Sequence, residues 1–162
     1  MDFPEHPFWN YSLALYGKPG VAEACLRLQD GCGLDVNLLL YACWLAASGY
    51  EPPSQEDWRR LIDGTAAWRT QAVEPLRGVR RFLKEAKGIP QSAVLRERVK
   101  ALELAAEHAQ QLAIAALADP MRGGGPPDAL AAMLDYANMQ GAALSDADRR
   151  DLAVIAGCAL AR

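Results

Sequence analysis

The chain has 162 residues and a mass of 17.6 kDa, which suits one domain better than two. Hydrophobic residues make up 51% of the chain and charged residues 23%, a balance that excludes intrinsic disorder. A formal net charge of −3 argues against a protein that coats nucleic acid with its whole surface. Four cysteines without a C-x-x-C pair exclude a disulfide scaffold and indicate reduced, buried thiols.

Apolar residues in the first half of the chain recur at intervals of three and four, the spacing of amphipathic helices. We expect a first helix from Pro7 to Gly17 and a second that ends around 31–33. Asp35 is a suitable N-cap for a third helix, which Gly49 would end.

A capping box of Ser54 with Asp57 predicts the start of a fourth helix. Pro75 interrupts its apolar stripe, so we expect a kink or a short break there. The stripe then resumes, and its inward residues are predicted to include Val79 and Phe82.

A long helix is predicted from about Gln91 to Ala118. Its apolar positions follow a heptad-like spacing from Leu95 to Ala116, and this seam could pair with a second copy of the chain. A Gly/Pro-rich joint at 121–127 separates a core at 1–120 from a helical hairpin at 128–162, which packs on the core or stays mobile. The prediction is an all-α bundle of six or seven helices without a sheet.

Two observations on apolar segments predict the cellular location of the protein. The N-terminus lacks the basic start and apolar stretch of a secretory signal, and the most apolar window, Val36 to Ala47, has 12 residues. A membrane-spanning helix needs about 20. We expect a cytoplasmic protein that does not cross a membrane.

Positive charge concentrates in the middle of the chain. Residues 54–100 hold 11 basic and 6 acidic side chains, whereas both flanking segments are net acidic. Five cations fall on one helical arc and predict a surface that binds an anionic partner: Arg77, Arg80, Arg81, Lys84 and Lys87. The alternative is that they pair with the chain's own carboxylates or are only solvated.

A polar turn between the second and third helices is the other candidate site. Its members are Gln29, Asp30, Asp35 and Asn37. These residues could cap the two helix ends, or Asp30 and Asp35 could form the floor of a pocket and bind a cation or a polar substrate.

Signatures of catalysis are absent from the sequence. It lacks the Glu-x-x-His pattern of di-iron bundles, the Gly-x-Ser-x-Gly elbow and the phosphate loop. We therefore predict no metal and no cofactor, and we favour a protein that is not an enzyme, although catalysis stays open.

Several short segments together resemble a family of small proteobacterial proteins of unknown function, over roughly residues 5–115. The residues and segments that carry the resemblance are Phe8-Trp9, Tyr16, Gly20-Val21, Ala24 to Asp30, Asp35 to Leu40, Trp44, Trp68-Arg69, Pro75 to Arg77 and Arg80-Arg81. The resemblance implies a bacterial cytosolic protein and supplies no activity.

Two functional hypotheses follow. The first is a non-enzymatic cytosolic binding or adaptor protein whose basic face meets an acidic protein surface or another anionic partner. The second is a small-ligand-binding protein or enzyme with a pocket around Asp30, Asp35 and Asn37.

Overall fold

The computed structural model describes residues 3–86, 88–123, 125 and 128–160. Its helices, in chain order, are α1 (Pro7–Tyr16), α2 (Val21–Cys32), α3 (Val36–Ala47), α4 (Gln55–Trp68), α5 (Glu74–Glu85), α6 (Ser92–Leu117), α7 (Ala129–Met139) and α8 (Asp146–Ala159). A π turn at Arg69–Val73 joins α4 to α5 without a break, so the described residues form seven continuous helices. They form no strand, and the predicted all-α fold is confirmed.

Helix ends lie where the capping residues predict them. The Asn37 backbone N–H donates to Asp35 Oδ1 over 2.9 Å at the start of α3. Ser54 and Asp57 form the predicted capping box of α4. Gly33 and Gly49 follow α2 and α3 with φ of 68° and 73°, a left-handed conformation that glycine adopts without steric cost.

The interruption expected at Pro75 is the π turn, which precedes the proline. The Glu74 N–H donates to the carbonyl five residues back, at Arg69. A π turn holds one more residue than a regular helix, so it changes which residues face inward downstream. The periodicity of α4 would turn Val79 and Phe82 inward, but these side chains are 46% and 70% exposed. Arg77 and Arg80 face α6 in their place.

The hydrophobic core is built around α3. Nine of its twelve residues are buried, and it contacts α1, α6, α7 and α8. Phe8 of α1, Trp58 of α4, Ile114 of α6 and Tyr136 of α7 pack in the same cluster. This central helix therefore carries its polar N-terminal turn into the interior of the bundle.

The C-terminal helices α7 and α8 contact α3 and α2. Arg27 of α2 makes a bidentate pair with Asp151 of α8, with Nε–Oδ2 and Nη2–Oδ1 distances of 2.8 and 2.6 Å. Tyr11 donates to the Ala159 carbonyl over 2.9 Å, and Lys18 donates to that of Cys158 over 2.8 Å. In the predicted joint, Gly124, Pro126 and Pro127 lie outside the described residues.

Candidate functional site

A cavity of about 460 Å³ opens between α1, α2, α3, α5 and α6. This volume lies in the range of sites that hold small molecules. Much of its wall is apolar and is supplied by Trp9, Leu13, Leu26, Val36, Leu40 and Leu104. The remaining wall brings together polar side chains from α1, α2, α3, α5 and α6, and their arrangement determines what the cavity can bind.

Two arginines of α5 and two glutamates of α6 form one charged side of the cavity. Glu103, only 5% exposed, accepts from Arg77 Nε over 3.2 Å and from Arg80 Nη2 over 3.1 Å, and it also pairs with Arg80 Nε. Arg77 Nη2 donates to Glu107 over 3.0 Å. Burial raises the pKa of Glu107, and the neighbouring Arg77 opposes that rise. The guanidinium groups are thus held rigidly at the wall.

A buried polar relay links the start of α3 to α6 beside this charged side. It consists of Asp35, Gln110, Asn37 and Gln111. Gln110 Nε2 donates to Asp35 Oδ2 over 2.6 Å, Asn37 Nδ2 donates to Gln110 Oε1 over 2.8 Å, and Gln111 Nε2 donates to Asn37 Oδ1 over 2.8 Å. Asn37 and Gln111 also line the cavity, so the relay ends in its wall.

Two buried polar atoms of residues in the cavity wall have no hydrogen-bond partner within the described part of the chain. They are Ser12 Oγ and Gln111 Oε1, on side chains that are each 2% exposed. Native proteins leave few buried polar atoms unpaired, because such atoms lose their bonds to water without compensation. Both atoms belong to residues that line this one cavity.

Two aromatic residues of α1, Trp9 and Tyr16, line the cavity. Trp9 stacks on His108 of α6 with ring centroids 4.1 Å apart and an interplanar angle of 4°. Burial lowers the pKa of His108, which favours the neutral ring in this stack. Burial also raises the pKa of Tyr16, another wall residue, to about 12, so its hydroxyl stays protonated.

The predicted basic face is divided by the structure. Arg77 and Arg80 lie in the cavity wall with α6 carboxylates, and Arg81 makes a half-exposed pair with Asp30, with Nη2–Oδ1 and Nη2–Oδ2 distances of 2.8 and 2.9 Å. Lys84 is exposed, and Lys87 lies outside the described residues. The intramolecular alternative thus accounts for three of the five cations, and binding of an anionic partner at this face stays a prediction.

The predicted polar turn is also divided. Gln29 and Asn37 line the cavity, whereas Asp35 is buried behind it as the cap of α3 and a member of the relay. Asp30 is exposed, and its hydrogen bonds from Arg81 lower its pKa. Asp30 and Asp35 have different partners and do not form the floor of one pocket.

The polar residues that α6 contributes here were not predicted from the sequence: Glu103, Glu107, Gln110 and Gln111. The available signal was their spacing, since positions 103, 107, 110 and 111 recur at helical intervals on one face. The predicted apolar seam of α6 is divided, with Leu95 and Leu102 exposed and Val99 and Ala106 buried.

The described residues offer neither a cluster of metal ligands nor a membrane-spanning helix. No three His, Cys, Asp or Glu side chains there are grouped so as to hold a metal ion. Within the same residues, no helix has both the length and the apolarity needed to cross a bilayer.

The fold and cavity define an all-α protein with a site of small-molecule size. The chain belongs to the family described as "Protein of unknown function (DUF2390)", which matches residues 7–114. The predicted membership of a family of unknown function is confirmed. Every residue that lines the cavity lies within the matched segment. No curated protein and no solved structure shows a significant match to the chain.

Proposed function

We propose that this protein binds a small amphipathic molecule with an apolar body and one anionic head group in the cavity between α1, α2, α3, α5 and α6. The observation that carries the proposal is the pairing of ligand-sized volume with two buried, unpartnered polar atoms, at Ser12 and Gln111. The apolar wall residues would contact the body of the ligand. This proposal develops the second sequence hypothesis with a different set of pocket residues.

The anionic head group follows from the charges in the wall. Arg77, Arg80 and Lys100 contribute three cations, against the carboxylates of Glu103 and Glu107. Burial raises the pKa of Glu107, and Arg77 opposes that rise. The wall thus holds one more cation than carboxylates, and this excess is carried by Lys100, whose side chain is 64% exposed and lies 4.0 Å from Glu97. A positive excess in the wall of a cavity favours an anion.

Binding rather than catalysis is favoured because the wall carboxylates are held by arginines. Glu103 and Glu107 both accept from Arg77, which leaves them poorly placed to exchange protons with a substrate. A bacterial cytoplasmic location is part of the proposal, and four free cysteines support it.

The first experiment tests whether the cavity is the binding site. The probe is 8-anilinonaphthalene-1-sulfonate, an apolar aromatic anion, titrated by fluorescence. Leu104 lines the cavity and is 48% exposed, so Leu104→Trp should fill the cavity without disturbing the core, and we expect binding at least tenfold weaker. The matched control is Leu102→Trp, on the same helix but outside the cavity. Equal affinity of the Leu104→Trp variant and the wild type would contradict the proposal.

The second experiment tests the anionic head group. N-phenyl-1-naphthylamine has the same rings without the sulfonate, so the ratio of the two affinities isolates the charge. Lys100→Gln should lower the preference for the sulfonate, whereas Arg98→Gln, outside the cavity, should not. A ratio that Lys100→Gln leaves unchanged would show that the wall does not select anions through this residue.

A second copy of the chain is a further candidate partner, favoured by exposed apolar side chains on the α5–α6 hairpin. Val79 and Phe82 of α5 and Leu95 and Leu102 of α6 are exposed on helices that pack against each other. Exposed apolar groups at heptad spacing suit pairing with an identical helix. Sedimentation of the wild type and of Leu102→Glu tests this: a dimer that the substitution dissociates supports it, and a monomeric wild type contradicts it.

A further inference from the structure

We propose that Asp35 selects ligands without touching them, because the relay it begins leaves Gln111 with a hydrogen-bond acceptor in the cavity wall. The site would then require a ligand that offers a hydrogen-bond donor at Gln111. This inference rests on the proposed function and adds a second requirement beside the anionic head group.

The relay starts at Asp35, whose polarity is fixed as long as its carboxylate is ionised. An ionised carboxylate only accepts hydrogen bonds. One oxygen of Asp35, Oδ1, accepts from the Asn37 backbone N–H at the start of α3. The other oxygen, Oδ2, must therefore face a donor, and Gln110 supplies one with its NH₂ group.

The orientation of each following side-chain amide is set by the one before it. A side-chain amide has a donor end and an acceptor end, so turning one end toward a neighbour turns the other end away. Because Gln110 gives its NH₂ to Asp35, its oxygen is left for the NH₂ of Asn37. The Asn37 oxygen is then left for the NH₂ of Gln111.

The last member has no protein partner for its free end. Gln111 Oε1 is buried and unpaired among the described residues, and Gln111 lines the cavity. A buried acceptor without a donor is unfavourable, so a ligand N–H or O–H at this position gains more than an isostere that lacks it. Ser12 Oγ, the other unpaired atom, can donate or accept and adds no such restriction.

Charged groups from several elements face Asp35 and act on its ionisation. Arg69 of the π turn and Arg77 of α5 favour the carboxylate, whereas Glu107 of α6 opposes it. From α7, the Tyr136 hydroxyl accepts the Asp35 backbone N–H over 2.8 Å. Burial raises the pKa of Asp35.

The substitution Asp35→Asn reverses the relay on this argument. The asparagine oxygen keeps the cap of α3, so its NH₂ replaces Oδ2 and faces Gln110. Gln110 and Asn37 must then turn over, and Gln111 would present its NH₂ as the free end. The variant changes the polarity of the wall while leaving its shape and its charged residues in place.

The relay is tested without a ligand by NMR couplings across hydrogen bonds, between the side-chain amide nitrogens and the carbonyl carbons. In the wild type we expect a coupling from Gln111 Nε2 to Asn37 Cγ, and in Asp35→Asn one from Asn37 Nδ2 to Gln111 Cδ. The same direction of coupling in both proteins overturns the inference. If the variant does not fold, couplings recorded on the wild type as Asp35 is protonated decide the question by the same reversal.

Ligand selection is tested with indole-3-acetate and benzofuran-3-acetate, which share a carboxylate and a shape but differ by one ring N–H. The wild type should prefer the indole by roughly tenfold, the effect of one hydrogen bond, and Asp35→Asn should lose this preference. Asp30→Asn, an exposed carboxylate outside the relay, is the control and should keep it. A preference that Asp35→Asn retains overturns the inference. If neither compound binds, the proposed function fails, whereas the NMR couplings still decide the relay.

Discussion

Replacing Glu103 by Gln removes one charge from the buried wall and should destabilise the whole bundle. Glu103 is the common acceptor for Arg77 and Arg80, and both arginines are less than a quarter exposed. Losing one partner of a buried ion pair costs about 3–5 kcal/mol. In this variant Arg77 would still pair with Glu107, and Arg80 would retain some contact with water. We therefore expect a loss of unfolding free energy at the lower end of this range, about 3 kcal/mol.

Urea unfolding followed by circular dichroism at 222 nm measures this loss, and a protein of this size should also melt about 6–12 °C lower. The control is Glu97→Gln, since Glu97 is largely exposed in its pairs with Arg96 and Lys100 and should cost less than about 0.5 kcal/mol. A double-mutant cycle with Arg80→Gln should show coupling above about 1 kcal/mol. A loss below 1 kcal/mol for Glu103→Gln, or additive effects in the cycle, would refute the reasoning.

Three further outcomes are expected. Gly78→Ala, in the interior of α5 with open space around its Cβ position, should raise the unfolding free energy by about 0.5–1 kcal/mol, and a lower urea midpoint would contradict this. Because burial raises the pKa of Cys25 to about 12 and also raises the pKa values of Cys32 and Cys43, iodoacetamide at pH 8 should modify Cys158 first, as read by peptide mass spectrometry. Because burial raises the pKa of Asp35, the folded chain holds the Asp35 proton to higher pH than the unfolded chain. The stability that comes from this bound proton is complete at low pH and is lost as pH rises through the pKa of the folded state. The melting temperature of the wild type minus that of Asp35→Asn should thus fall as pH rises, and a constant difference would count against the buried carboxyl.

Local signals in the sequence predicted the helix boundaries well. The capping box at Ser54 and the glycine at Gly33 act through hydrogen bonds that span only a few residues. Residues within one turn decide these features, so they can be inferred without tertiary structure. The confirmed all-α class follows from the same short-range pattern together with the spacing of apolar residues.

The cavity could not be predicted in the same way, because its polar residues meet across long stretches of chain. Arg80 and Glu103 are 23 positions apart, and Asp35 and Gln110 are 75 apart. Before folding brings them together, a buried glutamate or glutamine on α6 has the same sequence pattern as one on an exposed helix face. Gln29 and Asn37 were nevertheless identified, since their clustering in one turn was visible locally.

The π turn at Arg69–Val73 has a consequence for how this chain tolerates changes in length. One residue inserted into a regular helix rotates everything that follows by about 100°. The π turn accommodates one extra residue locally. Trp58 and Leu61 of α4 therefore stay in the core, while Arg77 and Arg80 of α5 contact α6. Deleting one residue inside the turn would restore a regular helix and keep both faces in place. The same deletion in the middle of α5 would rotate the residues beyond it away from their partners, so a deletion of one residue is tolerated at this turn and not within α5.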